Sequence, residues 1–188
     1  MDNQQQVGKL RTQLREAYGR VTYSYTTHLK TVDLLNEKNN KMKRYQIYFS
    51  AISTGGFLGS FIFDERILTF VAGLVSAFSL GLNLYLKNFE LDKLSKEHQI
   101  TANELWLVRE KYVSLLTDLD ALSLDQIESI RNELQDISYN IYKTAPKTDS
   151  YSYSKAQAAL KDEEEQFFSD EELDKMLPKH LRSNQNTL

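Results

Sequence analysis

Two long apolar runs interrupt an otherwise polar chain. Residues 45–63 and 67–86 carry no charged side chain over 19 and 20 positions, and only the three charged residues 64–66 separate them. A helix needs about 20 residues to cross a bilayer core about 30 Å thick. The pattern predicts transmembrane helix 1 over 45–63, an extracytoplasmic turn over 64–66 and transmembrane helix 2 over 67–86. The alternative is a soluble protein with a buried helical hairpin.

The two runs differ in strength. The second contains eleven Leu, Ile, Val or Phe residues, whereas the first contains eight. Each such residue favours insertion by about 0.3–0.6 kcal/mol at mid-helix. The first run also carries five polar side chains, which are Gln46, Ser50, Ser53, Thr54 and Ser60. We therefore expect the two helices to enter the membrane together, with the polar face of the first shielded by protein or water.

Lysine and arginine counts predict the orientation. Five basic residues lie between Lys30 and Arg44, before the first run, and Lys87, Lys93 and Lys96 follow the second. The connecting turn has only Arg66, beside two carboxylates. Because cytoplasmic loops carry the excess of basic residues, both termini are expected in the cytoplasm of a multi-pass inner-membrane protein.

Small and polar residues occupy particular faces of the two predicted spans. The candidate helix-packing residues are small, and they are Gly55, Gly59, Gly73, Ala77 and Gly81. The candidate pore-lining residues are polar, and they are Gln46, Ser50, Ser53, Ser60, Thr69, Ser76 and Asn83. In one interpretation both sets only pack helices together. In the other, the polar face lines a water-filled path in an oligomer, because polar side chains are costly against lipid.

The flanking segments predict cytoplasmic helices. In residues 1–44 and 87–122 apolar side chains recur every three or four positions, as in coiled coils. These segments flank one hairpin, so they should form an antiparallel stalk about 50 Å long at 1.5 Å per residue.

Capping signals predict further cytoplasmic helices over 123–182. Capping boxes begin at Ser123 and at Ser169, and the first of these helices should end before Pro146. A helix is also predicted over 151–168, with the acidic run 162–165 on its solvated face. Residues 183–188 are expected to be disordered. The fold class is thus an all-α membrane protein, in which a two-transmembrane helical hairpin continues into a long antiparallel cytoplasmic stalk with C-terminal cytoplasmic helices.

The composition and the absence of known motifs exclude several classes of functional site. Cysteine is absent, which excludes disulfides, thiolate zinc sites and thiol nucleophiles. The net charge of −3 is divided into about +2 over residues 1–122 and −5 over 123–188, so no broad basic surface for nucleic acid is expected. Phosphate-loop, dinucleotide-binding and zinc-protease motifs do not occur in the sequence. We predict no enzyme, no catalytic residue, no metal and no cofactor. His28 and His98 lie on the apolar stripes, where facing each other would still leave too few partners for a metal.

Several segments together resemble a known family. They are Leu34–Asn36, Lys41–Ile47, Ser50–Phe57, Trp106–Tyr112, Ile141–Pro146 and Leu177–Arg182. The combination, which covers nearly the whole chain, resembles the SLATT family of two-transmembrane effector domains associated with SMODS nucleotidyltransferases and SLOG sensors. The stretches at Ser53–Gly56 and Trp106–Tyr112 are its most specific parts.

The resemblance implies a membrane effector of bacterial antiphage defence, linked to nucleotide signalling or to a reverse transcriptase. Such an effector is thought to oligomerise in the inner membrane and to form a pore or disrupt the bilayer, which causes abortive infection. The trigger would come from a partner: a nucleotidyltransferase, a reverse transcriptase or a sensor. An alternative is a membrane-anchored scaffold or regulator that recruits a cytoplasmic enzyme. A holin-like lysis protein is a third and weaker candidate.

Overall fold

The computed structural model describes residues 3–63 and 66–183, with the backbone alone for residues 3 and 60–63. Every regular element in these ranges is helical, which confirms the all-α class. The α-helices are α1 (Asn3–Phe63), α2 (Arg66–Phe89), α3 (Leu91–Asp118), α4 (Leu124–Thr144), α5 (Ser150–Lys161) and α6 (Asp170–Met176). Short 3-10 turns follow α3 at Leu119–Ala121 and α6 at Lys179–Leu181.

Helix α1 is continuous over 61 residues. It joins the two elements predicted separately as a cytoplasmic helix and a first span. It contains no proline, and its glycines adopt no positive φ, so nothing in the backbone interrupts the ladder of hydrogen bonds. At about 1.5 Å per residue such a helix is about 90 Å long. The predicted polar and apolar segments therefore share one rigid element.

The returning segment is broken once, at Glu90. This residue has φ 40° and ψ 45°, the left-handed conformation that L side chains rarely adopt. Its carbonyl accepts the amide of Lys93 at 2.9 Å, which starts α3 directly. The apolar α2 and the amphipathic α3 are thus separate helices. The sequence predicted a boundary between residues 86 and 87, and the break at Glu90 lies shortly after it.

Helix α1 runs antiparallel to α2 and α3. Contacts pair its early residues with α3 and its late residues with α2: His28 meets His98, Asn36 meets Ser95 and Ser50 meets Ser79. The principal core lies at the amino-terminal end of α1, where α1, α3 and α4 meet. Its buried side chains include Leu14, Leu105, Tyr112, Leu119, Ile127 and Leu134. The apolar stripes on α1 and α3 therefore face one another, and α4 packs against them.

The capping signals have the predicted consequences. Both capping boxes form, so α4 begins after Ser123 and α6 begins after Ser169. Helix α4 ends at Thr144, immediately before the segment that leads to Pro146. Asp149 caps α5 by accepting the amide of Ser152 at 2.7 Å.

The predicted helix over 151–168 is wrong in its second half, because α5 ends at Lys161. Residues 162–165 are four consecutive acids, and negative charge at a helix C-terminus opposes the helix dipole. Glu164 instead adopts a positive φ of 51°, and Glu165 pairs with Lys30 at 2.6 Å. The acidic run therefore lies beyond the helix and in part against α1.

Parts of two predicted segments lie outside the described residues. These are positions 64 and 65 of the predicted turn and positions 184–188 of the predicted tail. One residue of each predicted segment is described. Arg66 of the predicted turn begins α2, and Ser183 of the predicted tail donates to Asp174 through both its amide and its hydroxyl.

Candidate functional site

The apolar pair, defined as residues 45–63 of α1 together with α2, presents its large side chains outward. Ile67, Phe70 and Phe78 are 73%, 68% and 71% exposed. The stretch Arg66–Ala121 contains a segment that is long and apolar enough to cross a membrane, and only 11% of this segment is buried. The core helix of a soluble protein buries such side chains. The exposure therefore counts against the soluble alternative.

Within the described residues, the stretch Arg66–Ala121 contains the one helix long and apolar enough to cross a membrane, and α1 does not meet that measure. The polar side chains Gln46, Ser50, Ser53 and Thr54 dilute its apolar run. This agrees with the expectation that the first span is the weaker one. The apolar pair thus combines one strongly apolar helix with a less apolar one.

Hydroxyl groups join the two helices of the apolar pair. The Oγ atoms of Ser50 and Ser79 lie 3.3 Å apart, and Ser53 donates to the carbonyl of Ala72 at 3.2 Å. Thr54 instead donates to the carbonyl of Ser50 in its own helix, at 2.9 Å. In the single chain, two of the predicted pore-lining residues therefore face α2.

Among the glycines of the apolar pair, Gly56 lies closest to the opposite helix. A Cβ atom added there would lie 3.3 Å from the Cβ of Ala72, closer than ordinary van der Waals contact. At Gly59 the added atom would lie 3.6 Å from Leu68 Cδ1, whereas at Gly55 it would meet nothing within 4 Å. Close packing in the chain therefore uses Gly56 and Gly59. The sequence predicts Gly55 and Gly59 as packing residues, so Gly59 is shared and Gly56 takes the place of Gly55 within the single chain.

The other candidate packing residues lie on the exposed surface of α2. Gly73, Ala77 and Gly81 are exposed, and a Cβ atom added at either glycine would meet nothing within 4 Å. This stripe of small residues therefore lies open on the surface of the single chain.

The remaining candidate pore-lining residues differ in exposure. Thr69, Ser76 and Asn83 are exposed on α2, and Gln46 is half-buried on α1. The side chain of Ser60 lies outside the described residues. Whether these residues line a path in an assembly stays a prediction.

Polar side chains connect α1 to α3 just beyond the apolar pair. Asp92 accepts hydrogen bonds from Asn39 and from Lys43, the latter at 2.9 Å. One helical turn away, Ser95 donates to Asn36 at 2.8 Å. These bonds fix the register of α1 against α3 where the chain leaves the apolar pair.

Two histidines meet deeper in the polar part of the helix pair. The Nδ1 atoms of His28 and His98 lie 2.8 Å apart, and the two side chains are 4% and 1% exposed. One imidazole must donate and the other accept, so at least the accepting ring is neutral in this arrangement. Burial, and secondly the neighbouring His98, lower the pKa of His28 to about 4.

The surroundings of His98 act in two directions. Burial lowers the pKa of His98, although the carboxylates of Glu97 and of Asp149 oppose the shift. Across residues 3–63 and 66–183, no cluster of three His, Asp or Glu side chains is placed to hold a metal ion. The pair is therefore a buried polar contact that links α1 to α3.

Comparison with known proteins gives one match. The family model described as SMODS and SLOG-associating 2TM effector domain family 4 matches residues 10–172, well over half of the chain. No curated protein and no solved structure matches the chain.

Proposed function

Because the chain belongs to the SMODS and SLOG-associating 2TM effector domain family 4, we propose that it is a membrane effector of a bacterial defence system. In this proposal residues 45–63 and 67–86 are two spans of the inner membrane, and the polar helices form a cytoplasmic stalk. Triggered copies assemble through the spans, and a pore or a disrupted bilayer then ends the growth of the infected cell. The exposure of Ile67, Phe70 and Phe78 is the observation that carries the proposal.

Helix lengths support two spans. Residues 45–63 extend about 28 Å and α2 extends about 36 Å at 1.5 Å per residue, against a bilayer core of about 30 Å. The basic residues near the two outer ends favour a cytoplasmic location for both termini.

The open small residues support assembly. Small residues let neighbouring helices approach closely in lipid, where packing rather than the hydrophobic effect drives association. Gly73 is exposed, and a Cβ atom added there would meet nothing within 4 Å, so this position is open to another copy. Assembly would also remove the exposed Thr69, Ser76 and Asn83 from lipid.

A depolarisation assay tests this function. The cognate defence system is expressed with the effector, the cells are infected, and a potential-sensitive dye is read before growth stops. We expect depolarisation at arrest. Arrest with an unchanged membrane potential would refute the pore or bilayer disruption.

Glycine variants test assembly separately. Gly55→Leu and Gly73→Leu add side chains that begin in open space, so the single chain should keep its fold. Both should abolish toxicity if copies pack through these faces. Gly8→Leu, which is equally open but lies near the amino terminus, is the control and should stay toxic. Full toxicity of all three variants would count against packing through these glycines.

The second candidate function is a membrane-anchored scaffold that recruits a cytoplasmic enzyme, such as a nucleotidyltransferase or a reverse transcriptase. The large cytoplasmic core around Leu105 and Ile127 favours it, since an anchor alone does not need one. Replacing residues 45–86 by an unrelated two-span hairpin separates the two functions. A pore-forming effector would lose activity, whereas a scaffold would retain it.

A further inference from the structure

Two grooves meet at the cytoplasmic end of the apolar pair. The upper groove has a volume of about 530 Å³ and runs between α1 and α2. The lower groove, about 660 Å³, lies between α1 and the start of α5. Met42 and Tyr45 form part of the wall of both. The two grooves therefore adjoin along α1.

The upper groove is lined by apolar and aromatic side chains. Phe49, Phe78 and Leu82 form its walls, and the small residues Ala77 and Gly81 leave the space between them open. Its volume is in the range of pockets that hold small hydrophobic ligands. This groove suits a hydrocarbon chain.

The lower groove adds positive charge. Lys38 and Lys41 line it, and the Nζ of Lys38 lies 5.5 Å from the centroid of the Tyr85 ring in the upper groove. Neither lysine forms an ion pair with a described residue, whereas the neighbouring Lys43 pairs with Asp92. Glu37 and Asp149 also border the lower groove, and the Asp149 carboxylate is engaged in capping α5.

We propose that the adjoining grooves bind one anionic phospholipid of the cytoplasmic leaflet. An acyl chain lies along Phe49, Ala77 and Gly81, and the phosphate is held by Lys38 and Lys41. The inference rests on the proposed membrane placement, which brings the lysines to the depth of the lipid phosphates. Basic pockets beside spans on the cytoplasmic side bind anionic headgroups, and aromatic residues such as Tyr45 and Tyr85 favour that interface.

Binding is tested on the full chain. Protein purified in detergent is titrated with phosphatidylglycerol or phosphatidylcholine, and bound lipids are counted by native mass spectrometry. We expect one phosphatidylglycerol per chain, held about tenfold or more tightly than phosphatidylcholine. Equal affinity for the two lipids would overturn the role of the lysines.

Two matched pairs of variants locate the site. Lys38→Gln with Lys41→Gln should weaken binding about tenfold or more, while Lys87→Gln with Lys96→Gln, an equal loss of charge outside the grooves, should not. Gly81→Leu should displace the lipid by filling the upper groove, while Gly73→Leu adds the same bulk elsewhere on α2. Equal effects of either variant and its control would overturn the proposal.

Other occupants give different results. Competition by millimolar inorganic phosphate alone would assign the site to free phosphate and overturn the lipid. Dimers of the native chain that Gly81→Leu converts to monomers would assign the groove to a second copy. Recovery in the membrane fraction is measured in parallel: absence from it refutes the membrane effector, whereas membrane-bound, lipid-free chains refute only this inference.

Discussion

Acidification should destabilise the helix pair through His28. The group is neutral and buried in the folded chain, with its pKa lowered from 6.5 to about 4. Unfolding exposes it to water, where the imidazole binds a proton below pH 6.5. Between these two values the unfolded state binds more protons, so stability is greatest above pH 6.5 and falls as the pH approaches 4.

The size of the effect follows from the two pKa values. At pH 5 the lowered pKa of His28 costs about 2 kcal/mol relative to pH 7.5, and the full loss below pH 4 is about 3 kcal/mol. Because burial also lowers the pKa of His98, its titration adds to the loss. With a urea dependence of about 2 kcal/mol per molar, the midpoint should fall by about 1 M at pH 5.

The assay uses the single tryptophan of the chain. Trp106 lies on α3, the helix that carries His98, so its fluorescence during urea titration in detergent reports the unfolding of this region. His28→Gln removes one titrating group but keeps a hydrogen-bonding side chain, so most of the difference between pH 7.5 and pH 5 should disappear. His180→Gln is the control, because His180 is exposed.

Two results would refute this reasoning. The first is an unchanged pH dependence in His28→Gln, which would mean that other groups govern acid stability. The second is a reduced pH dependence in the His180→Gln control. Either result would mean that the buried contact between His28 and His98 does not cause the loss of stability in acid.

The remaining predictions concern stability and use the same urea titration. Leu105→Ala should cost about 2–5 kcal/mol because Leu105 is fully buried in the core, while Leu107→Ala on the same helix, at 53% exposure, should cost well under 1 kcal/mol. Ser123→Ala should cost about 1 kcal/mol by removing the capping box of α4. Gly19→Ala should gain about 0.5–1 kcal/mol, since Gly19 lies within α1 and an added Cβ meets nothing within 4 Å.

Features with a local cause could be predicted from the sequence. A serine three residues before Gln126 or Glu172 specifies a helix start through bonds within one turn, and both starts occur as predicted. The apolar stripes likewise predicted which faces of α1 and α3 are buried. The end of α5 at Lys161 also has a local cause, the charge repulsion of residues 162–165, but the apolar pattern of 151–168 does not reflect it.

Features set by the register of distant segments could not be predicted. Helical spacing placed His28 and His98 on inward faces, but their contact depends on how residues 70 positions apart align. In the same way, Gly55 and Gly56 are equally small, and only the phase of α1 against α2 makes Gly56 the close contact. The grooves have no sequence signal, since their walls come from several separate elements.

The two ends of the molecule are stabilised by different means. The amino-terminal part of α1 is held by large buried side chains such as Leu14 and Tyr112, each contributing about 1.5–3 kcal/mol by burial. The apolar pair has instead the close approach at Gly56, hydroxyl bonds from Ser50 and Ser53, and many exposed apolar side chains. In water this exposure would be costly, whereas in lipid it costs little and leaves the spans weakly committed to each other. In the proposed membrane placement, this pair would be fixed firmly at its polar base and loosely in lipid, so assembly could exchange its partner helix for one from another copy without unfolding the core around Leu105.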